Sequence, residues 1–389
     1  GDVARSVTLG ERVSGAITSP GQTDSYSCHL ATDTLVYYDS LISTTNSQPT
    51  WTLTGPRGTE LTNQSGYQDG PVIRLVAGDY KLSFHASFDQ LGSYAFRLLD
   101  FASTTPLTIG SQVSDTFDDA SGSKFYSFTG TAGDRLYFDA ESWSRYGSGS
   151  YWKLFDPNGR QVFSQSINND QRPITLTATG TYTLALEAVR NAQPPSYSFT
   201  VRRVVDQTAV LTLGETVNGS LAKGQTNTYT FSLAAPTTVY LDSLAKAGLP
   251  AFLTGPLGQA YSQYLDSDGS TPVTLDAGDY ALTIESQSES QTGNYSFRLL
   301  DVAAATPLAP GQTVSAALDT PNAAVMYRFD GTAGDRFYLD QFSATGGTVN
   351  WRVYDPFGNF VNGGNVGSFA NFTLMQLPYT GTYRLILDG

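Results

Sequence analysis

Short segments in which apolar and polar side chains alternate recur along the whole chain, as in Tyr126-Ser127-Phe128, Leu136-Tyr137-Phe138 and Tyr182-Thr183-Leu184-Ala185-Leu186. A period of two puts one set of side chains on each face of an extended strand. Gly, Pro, Asn and Asp between the segments supply the turns. No stretch shows an apolar stripe at helical spacing bounded by caps, so helix should be scarce.

The alternation itself repeats. A Gly-x-x-Val step stands at Gly10/Val13, Gly110/Val113, Gly214/Val217 and Gly311/Val314, a period of about 100 residues. A Pro-x-Gly turn follows in each copy, at Pro56/Gly58, Pro157/Gly159, Pro256/Gly258 and Pro356/Gly358, and then a Gly-x-Tyr step, at Gly78/Tyr80, Gly180/Tyr182, Gly278/Tyr280 and Gly381/Tyr383. Copies two and four share TAGDR and DPxG, whereas copies one and three share TGPxG and AGDY, so the larger unit is a pair, A-B-A-B. Each copy then reads as about seven or eight short strands, the size and punctuation of a β-sandwich. The fold class expected is all-β, four tandem jelly-roll-like β-sandwich domains over residues 1–102, 103–206, 207–303 and 304–389, strung closely by short linkers such as 102–105 and 303–306.

These landmarks, taken in order with the Tyr-x-Phe strands that follow the first and close the copies, resemble the bacterial pre-peptidase C-terminal (PPC-like) domain over nearly the whole chain. The resemblance implies a small sandwich that serves exported proteins as an accessory, spacer or binding module, at the tail of secreted proteases or repeated in large surface proteins. Some members of that family bind calcium or extracellular polymers. No metal-ligand motif of the family can be carried over onto this sequence residue by residue.

Composition narrows the functions further. The 389 residues carry a formal net charge of −13 and no cluster of Lys and Arg, which argues against a nucleic-acid partner. No run approaches the ~20 apolar residues of a membrane helix. Cys28 is the single cysteine and can form no internal disulfide. It stands where the other copies have Phe128, Phe231 and Phe329, so it is expected in a core as an unreactive thiol. Only two histidines exist, His29 and His85, and GxSxG, HExxH and Ser-His-Asp arrangements are missing, so a hydrolase of familiar type has nothing to be built from. The chain is read as a non-enzyme that requires no cofactor.

TAGDRLYFD (131–139) combines two carboxylates, an arginine and a tyrosine, and returns as TAGDRFYLD (332–340). Gly133-Asp134 and Gly334-Asp335 are turn chemistry. In the strand that follows, Tyr137 and Asp139 correspond to Tyr37 and Asp39, Tyr240 and Asp242, and Tyr338 and Asp340. Alternation sends Val36/Tyr38, Leu136/Phe138, Val239/Leu241 and Phe337/Leu339 to the core and leaves each Tyr and Asp on a polar face. Two readings stand for Asp39, Asp139, Asp242 and Asp340: acceptors that tie down a neighbouring loop or strand, or calcium ligands, which would need about six or seven converging oxygens. Asp266-x-Asp268-Gly269 is a weaker calcium-loop fragment.

Trp51, Trp152 and Trp351 precede the Pro-x-Gly turn by the same step and read as core anchors. Trp143, Tyr146 and Tyr151 differ: they fall in the Ser/Gly-rich stretch 141–152, which has no counterpart in the other copies. Exposed together they would form a surface for extracellular polysaccharide or a surface protein; otherwise the stretch packs on a neighbouring domain. Copies one to three end in a strand with Tyr94/Phe96, Tyr197/Phe199 and Tyr295/Phe297, and copy four has no such strand within these residues. Either the polypeptide continues to supply one, or another chain does by strand addition. The reading that results is a non-catalytic spacer or stalk segment of an exported bacterial protein, secreted or at the cell surface, whose partners are neighbouring domains of the same polypeptide. The alternatives are an adhesive binding module, the accessory tail of a secreted peptidase, and a polymer subunit joined by strand exchange.

Overall fold

The computed structural model describes the chain apart from residues 43–48, 87–90, 145–149, 190–192, 246–247, 266–270, 287–290, 319 and 367–373. It is all-β, with a single 3-10 turn, Val302–Ala304, among the described residues. Two compact units, Gly1–Val204 and Val205–Gly389, each hold one A copy and one B copy.

The first copy sets the plan. Its strands are β1 (Ala4–Ser6), β2 (Val13–Ile17), β3 (Thr23–Leu30), β4 (Thr34–Ser40), β5 (Thr50–Gly55), β6 (Gly58–Ser65), β7 (Val72–Leu75), β8 (Gly78–His85) and β9 (Gly92–Asp100). One sheet has the order β1-β3-β8-β5-β6 and the other β2-β9-β4-β7. Among the described residues only the β1–β3 pairing of this copy is parallel. Copies two and three repeat both sheets strand for strand, with nine strands each among the described residues where seven or eight were expected. The extra strand is β1, three exposed residues too short to show a period of their own.

The core between the sheets follows from the alternation. Val36, Tyr38, Trp51, Leu53, Leu82, Phe84 and Phe96 are all buried in the first copy, and Leu136, Phe138, Trp152, Leu154 and Phe199 fill the same places in the second. The core tyrosines also join sheet to sheet. Tyr26 on β3 and Tyr94 on β9 meet hydroxyl to hydroxyl at 2.7 Å, as do Tyr126 and Tyr197 at 2.5 Å and Tyr229 and Tyr295 at 2.7 Å. Tyr94 also donates to the buried carboxylate of Asp24 at 2.6 Å. Cys28, by contrast with the phenylalanines at its position, is only half-buried, its thiol pushed up by burial and by the Asp79 carboxylate.

Two landmarks keep one period because they touch. Gly78 opens β8 with φ +146°, and a Cβ there would lie 2.4 Å from Cγ of Pro56 in the Pro-x-Gly turn; Gly180, Gly278 and Gly381 repeat the positive φ and the approach to Pro157, Pro256 and Pro356. Two residues on, Tyr80 donates to the carbonyl of Val76 at 2.8 Å, and Tyr182, Tyr280 and Tyr383 each reach the carbonyl four residues upstream. The Gly-x-Tyr step is thus a corner that fixes where the central strand of the first sheet begins.

Copy four keeps the five-stranded sheet, and among the described residues its other sheet consists of Arg336–Tyr338 paired with Leu374–Gln376. Residues 312–318, in the place of β2, form no strand.

Gly78→Ala should destabilise the first sandwich by ~2–4 kcal/mol through left-handed strain and overpacking against Pro56. Combining it with Pro56→Ala should cost less than the sum of the two single changes, because the overpacking goes and only the strain stays. Denaturant midpoints at constant slope read this cycle. Strict additivity would show that the proline and glycine are not in contact.

Candidate functional site: the junction within each pair

The Tyr/Asp face of the A copies is not open to water. Tyr37 and Asp39 are 1% and 0% exposed, and Tyr240 and Asp242 are 1% each. The polar face expected opposite the sandwich core is covered: in each unit the B copy lies over it. In the first unit Tyr37 packs with Phe101, Phe125, Phe155 and Ala185. In the second, Tyr240 packs with Val302, Met326, Tyr354 and Ile386. The strand alternation of β4 therefore serves two cores, one within the sandwich and one between sandwiches.

Polar groups are matched across the same surface. The Tyr37 hydroxyl donates to Glu187 of copy two, and Tyr240 donates to Asp388 of copy four at 2.8 Å. Lys153 sits 2.7 Å from Glu187. Asp39 accepts from Arg97 Nε at 2.8 Å, and Asp242 from Arg298 Nε at 2.8 Å. Each arginine comes from the closing strand of its own sandwich and also reaches a backbone carbonyl of the B copy, Ser123 at 3.4 Å and Ala324 at 3.2 Å. The junctions also differ in the second oxygen of the aspartate: Asp242 Oδ1 accepts from Ala324 N–H at 3.1 Å, whereas Asp39 has the Ser123 side chain as its further neighbour.

Burial drives the electrostatics here. It pushes the carboxyl of Asp39 up to about 6 against the pull of Arg97, and that of Asp242 up to about 6 against Arg298. Asp69, which accepts from Ser40 N–H at 2.7 Å, is raised well above the usual carboxylate range by burial and by the charges of Glu187 and Asp39. Burial and the neighbouring Glu187 likewise push the Tyr37 hydroxyl well up.

In copy two, Tyr137 and Asp139 are also buried, with Tyr137 donating to Asp170 and Asp139 accepting from Arg202 Nε at 2.8 Å. In copy four, Tyr338 is 48% exposed and Asp340 is exposed. As calcium ligands, Asp39, Asp139 and Asp242 each face a guanidinium, which opposes a divalent cation at the same oxygens. Among the described residues no three His, Cys, Asp or Glu side chains are arranged to hold a metal. Asp266, Asp268 and Gly269 lie outside the described residues.

Of the three candidate aromatics, Trp143 and Tyr151 are described. Trp143 is not in a loop: the strand Arg135–Trp143 carries it to its last position, where it pairs with Tyr197. Its ring lies over Tyr197 at 6.1 Å and edge-on to Phe117 at 5.7 Å, half-buried on the second core. The reason is that an aromatic cross-strand partner outweighs the strand-breaking composition around it. Tyr151 begins the next strand and is exposed, and Tyr146 lies outside the described residues.

No protein-family model and no curated protein matches this sequence. Among solved structures, the chain is similar to the pre-peptidase C-terminal domain of a collagenase from Bacillus anthracis, at 19% identity and a TM-score of 0.22, over 24% of this chain and 96% of that one. It is similar to PliG, a periplasmic inhibitor of g-type lysozyme from Aeromonas hydrophila, at 16% identity and a TM-score of 0.21, over 25% of this chain and 96% of that one. The CUB1-EGF-CUB2 domains of rat MASP-1 match at 11% identity and a TM-score of 0.18, over 51% of this chain and all of the other.

Two outcomes are expected at the junction. Arg97→Ala strands a buried carboxylate and should cost ~3–5 kcal/mol, whereas Asp39→Asn, which also removes the buried charge, should cost much less. Because folding raises the pKa of Asp39 and Asp242, the folded state holds extra protons between about pH 4 and 6 and stability falls as the pH rises through that window, by up to ~3 kcal/mol per group. Asp39→Asn should flatten the part of that slope seen in the melting of Gly1–Val204; an unchanged slope would assign it to other groups.

Proposed function

We propose that this chain is a non-catalytic connector of an exported bacterial protein, assembled from two-sandwich modules whose members are held rigidly together. The observation that carries the reading is that the residues with most chemical promise, Tyr37, Asp39, Tyr240 and Asp242, are consumed in joining A to B. A joint with an apolar cluster, a tyrosine–carboxylate bond and an arginine clamp resists hinge motion, unlike the small polar interfaces between freely moving domains. The resemblance of the repeated motifs to PPC-like domains supports export and an accessory role.

On a Cys28→Ser background, spin labels at Thr62→Cys and Gln161→Cys, one in each sandwich of the first pair, should give one narrow distance distribution. Arg97→Ala should broaden it. A broad distribution in the chain with Arg97 intact would sink the rigid-connector reading. A chelator should leave the melting midpoint unchanged, and a fall on chelation would instead support a stabilising metal.

A further inference from the structure

The joint between copies one and two brings together more acids than bases. Asp39 and Asp69 come from copy one and Glu187 from copy two, while Arg97 of copy one faces Asp39 and Lys153 of copy two faces Glu187. Asp39 and Glu187 are fully buried, and Asp69, just ahead of β7, is half-buried. Arg12 and Asp119 pair across the same boundary at 3.1 Å and cancel each other. Among the described residues Asp69 has no ion pair of its own: its Oδ1 accepts from Ser40 N–H at 2.7 Å, and the cation that acts on it, Lys153, is already held by Glu187.

Copy two shows a second arrangement of the same groups. Asp170 holds the place of Asp69, accepting from Ala140 N–H at 2.8 Å, and it also takes the hydroxyl of Tyr137. In copy one the equivalent hydroxyl, that of Tyr37, crosses the joint to Glu187. The Asp69–Gly70 segment still lies beside that tyrosine, since a Cβ on Gly70 would stand 3.7 Å from its ring. Tyr37 therefore has an acid of its own sandwich on one side and an acid of the next sandwich on the other.

We propose that this joint is a proton-operated latch, closed while Asp69 carries a proton and loosened once Asp69 ionises. Ionisation releases the carboxyl proton to water and places a third negative charge in a surround that holds two cations. The new charge repels Glu187, which belongs to the other sandwich. It also turns Asp69 into a competing acceptor for the Tyr37 hydroxyl, the arrangement that Tyr137 and Asp170 already adopt. Both effects weaken the hold on copy two. Burial, and then the charges of Glu187 and Asp39, raise the Asp69 carboxyl well above its ordinary value in the closed joint. The closed form thus binds more protons than the open one, and closure weakens as the pH rises from the ordinary carboxylate range, about 4, toward the raised value. The latch rests on the connector reading and adds a control to it.

The test uses the full chain with the Thr62→Cys and Gln161→Cys spin-label pair on the Cys28→Ser background, titrated from about pH 5 to about pH 9. The distance distribution should be narrow at the acid end and gain a broad component whose share rises by up to about tenfold per pH unit before it levels off. Asp69→Asn keeps an acceptor for Ser40 N–H and cannot ionise, so its distribution should stay narrow throughout. Asp39→Asn should keep the transition and move it to lower pH, because one repelling charge is gone. The infrared band of a protonated carboxyl should fade over the same pH range in the chain that retains Asp69, which reads the proton itself whether or not the variant folds. A distribution that stays narrow to the alkaline end overturns the latch and leaves the rigid connector standing, and broadening that survives Asp69→Asn overturns the latch as well. Breadth at every pH overturns both readings.

Discussion

The closing strand of each A sandwich holds the structure together on two fronts. Its inward side chains, such as Tyr94 and Phe96, complete the core and carry the hydroxyl bridge between sheets, while Arg97, pointing the other way, neutralises the carboxylate that faces the next sandwich. A strand has two faces at one position in the chain, so one element couples internal packing to external docking. Asp39 can be buried beneath another sandwich because β9 is already in place; without the arginine, an ionised carboxylate in that apolar surround would be strongly disfavoured. Loss of β9 would therefore open the sandwich and the junction together.

The two junctions use one geometry with different side-chain sizes. Where the first has Phe101 and Phe125 around Ala185, the second has Val302 and Met326 around Ile386. The aromatic bulk on one side is exchanged for aliphatic bulk on the other, and the tyrosine at the centre keeps its place. Volume-conserving exchanges of this kind preserve packing density, whereas moving one member alone would leave a void or an overlap. The acidic acceptor changes from Glu187 to Asp388, and the hydroxyl donor still reaches it. A joint that tolerates so many substitutions around two fixed polar contacts draws its area from the apolar cluster and its orientation from the tyrosine and the arginine.

Much of this was legible in the residues. Period-two alternation and the Gly and Pro punctuation revealed the sandwiches, because strand geometry is a local property that each segment states for itself. Comparison between copies placed Tyr37 and Asp39 on the face opposite Val36 and Tyr38, and that is correct. What covers a face is a different kind of fact. Tyr and Asp suit both a wet surface and a satisfied interface, and the arginine that decides the matter stands 58 residues away in the chain. The signal was present in FRLLD at 96–100 and 297–301, where the arginine recurs in both A copies, but only the sheet order brings it beside the aspartate. Trp143 was misplaced for a related reason: Ser and Gly on either side of it lowered the local strand preference, and a partner at Tyr197 restored it.

The raised carboxyls of Asp39 and Asp242 show how such a joint is balanced. An arginine alone would hold each carboxylate low; burial lifts both groups, and its effect outweighs the pull of the guanidinium. The ion pair is thus a poor source of net stability and a good source of alignment, since a misaligned neighbour would leave the charge unpaired as well as dry. Stability at the junction must come from the apolar clusters around Tyr37 and Tyr240; in the first of them Tyr37 meets Phe125 edge-on at 5.2 Å, and Phe101 meets Phe155 edge-on at 5.0 Å. The same division of labour explains why the Tyr and Asp are kept together in both A copies. The tyrosine contributes area and one directed bond, and the aspartate penalises every arrangement in which the next sandwich sits elsewhere.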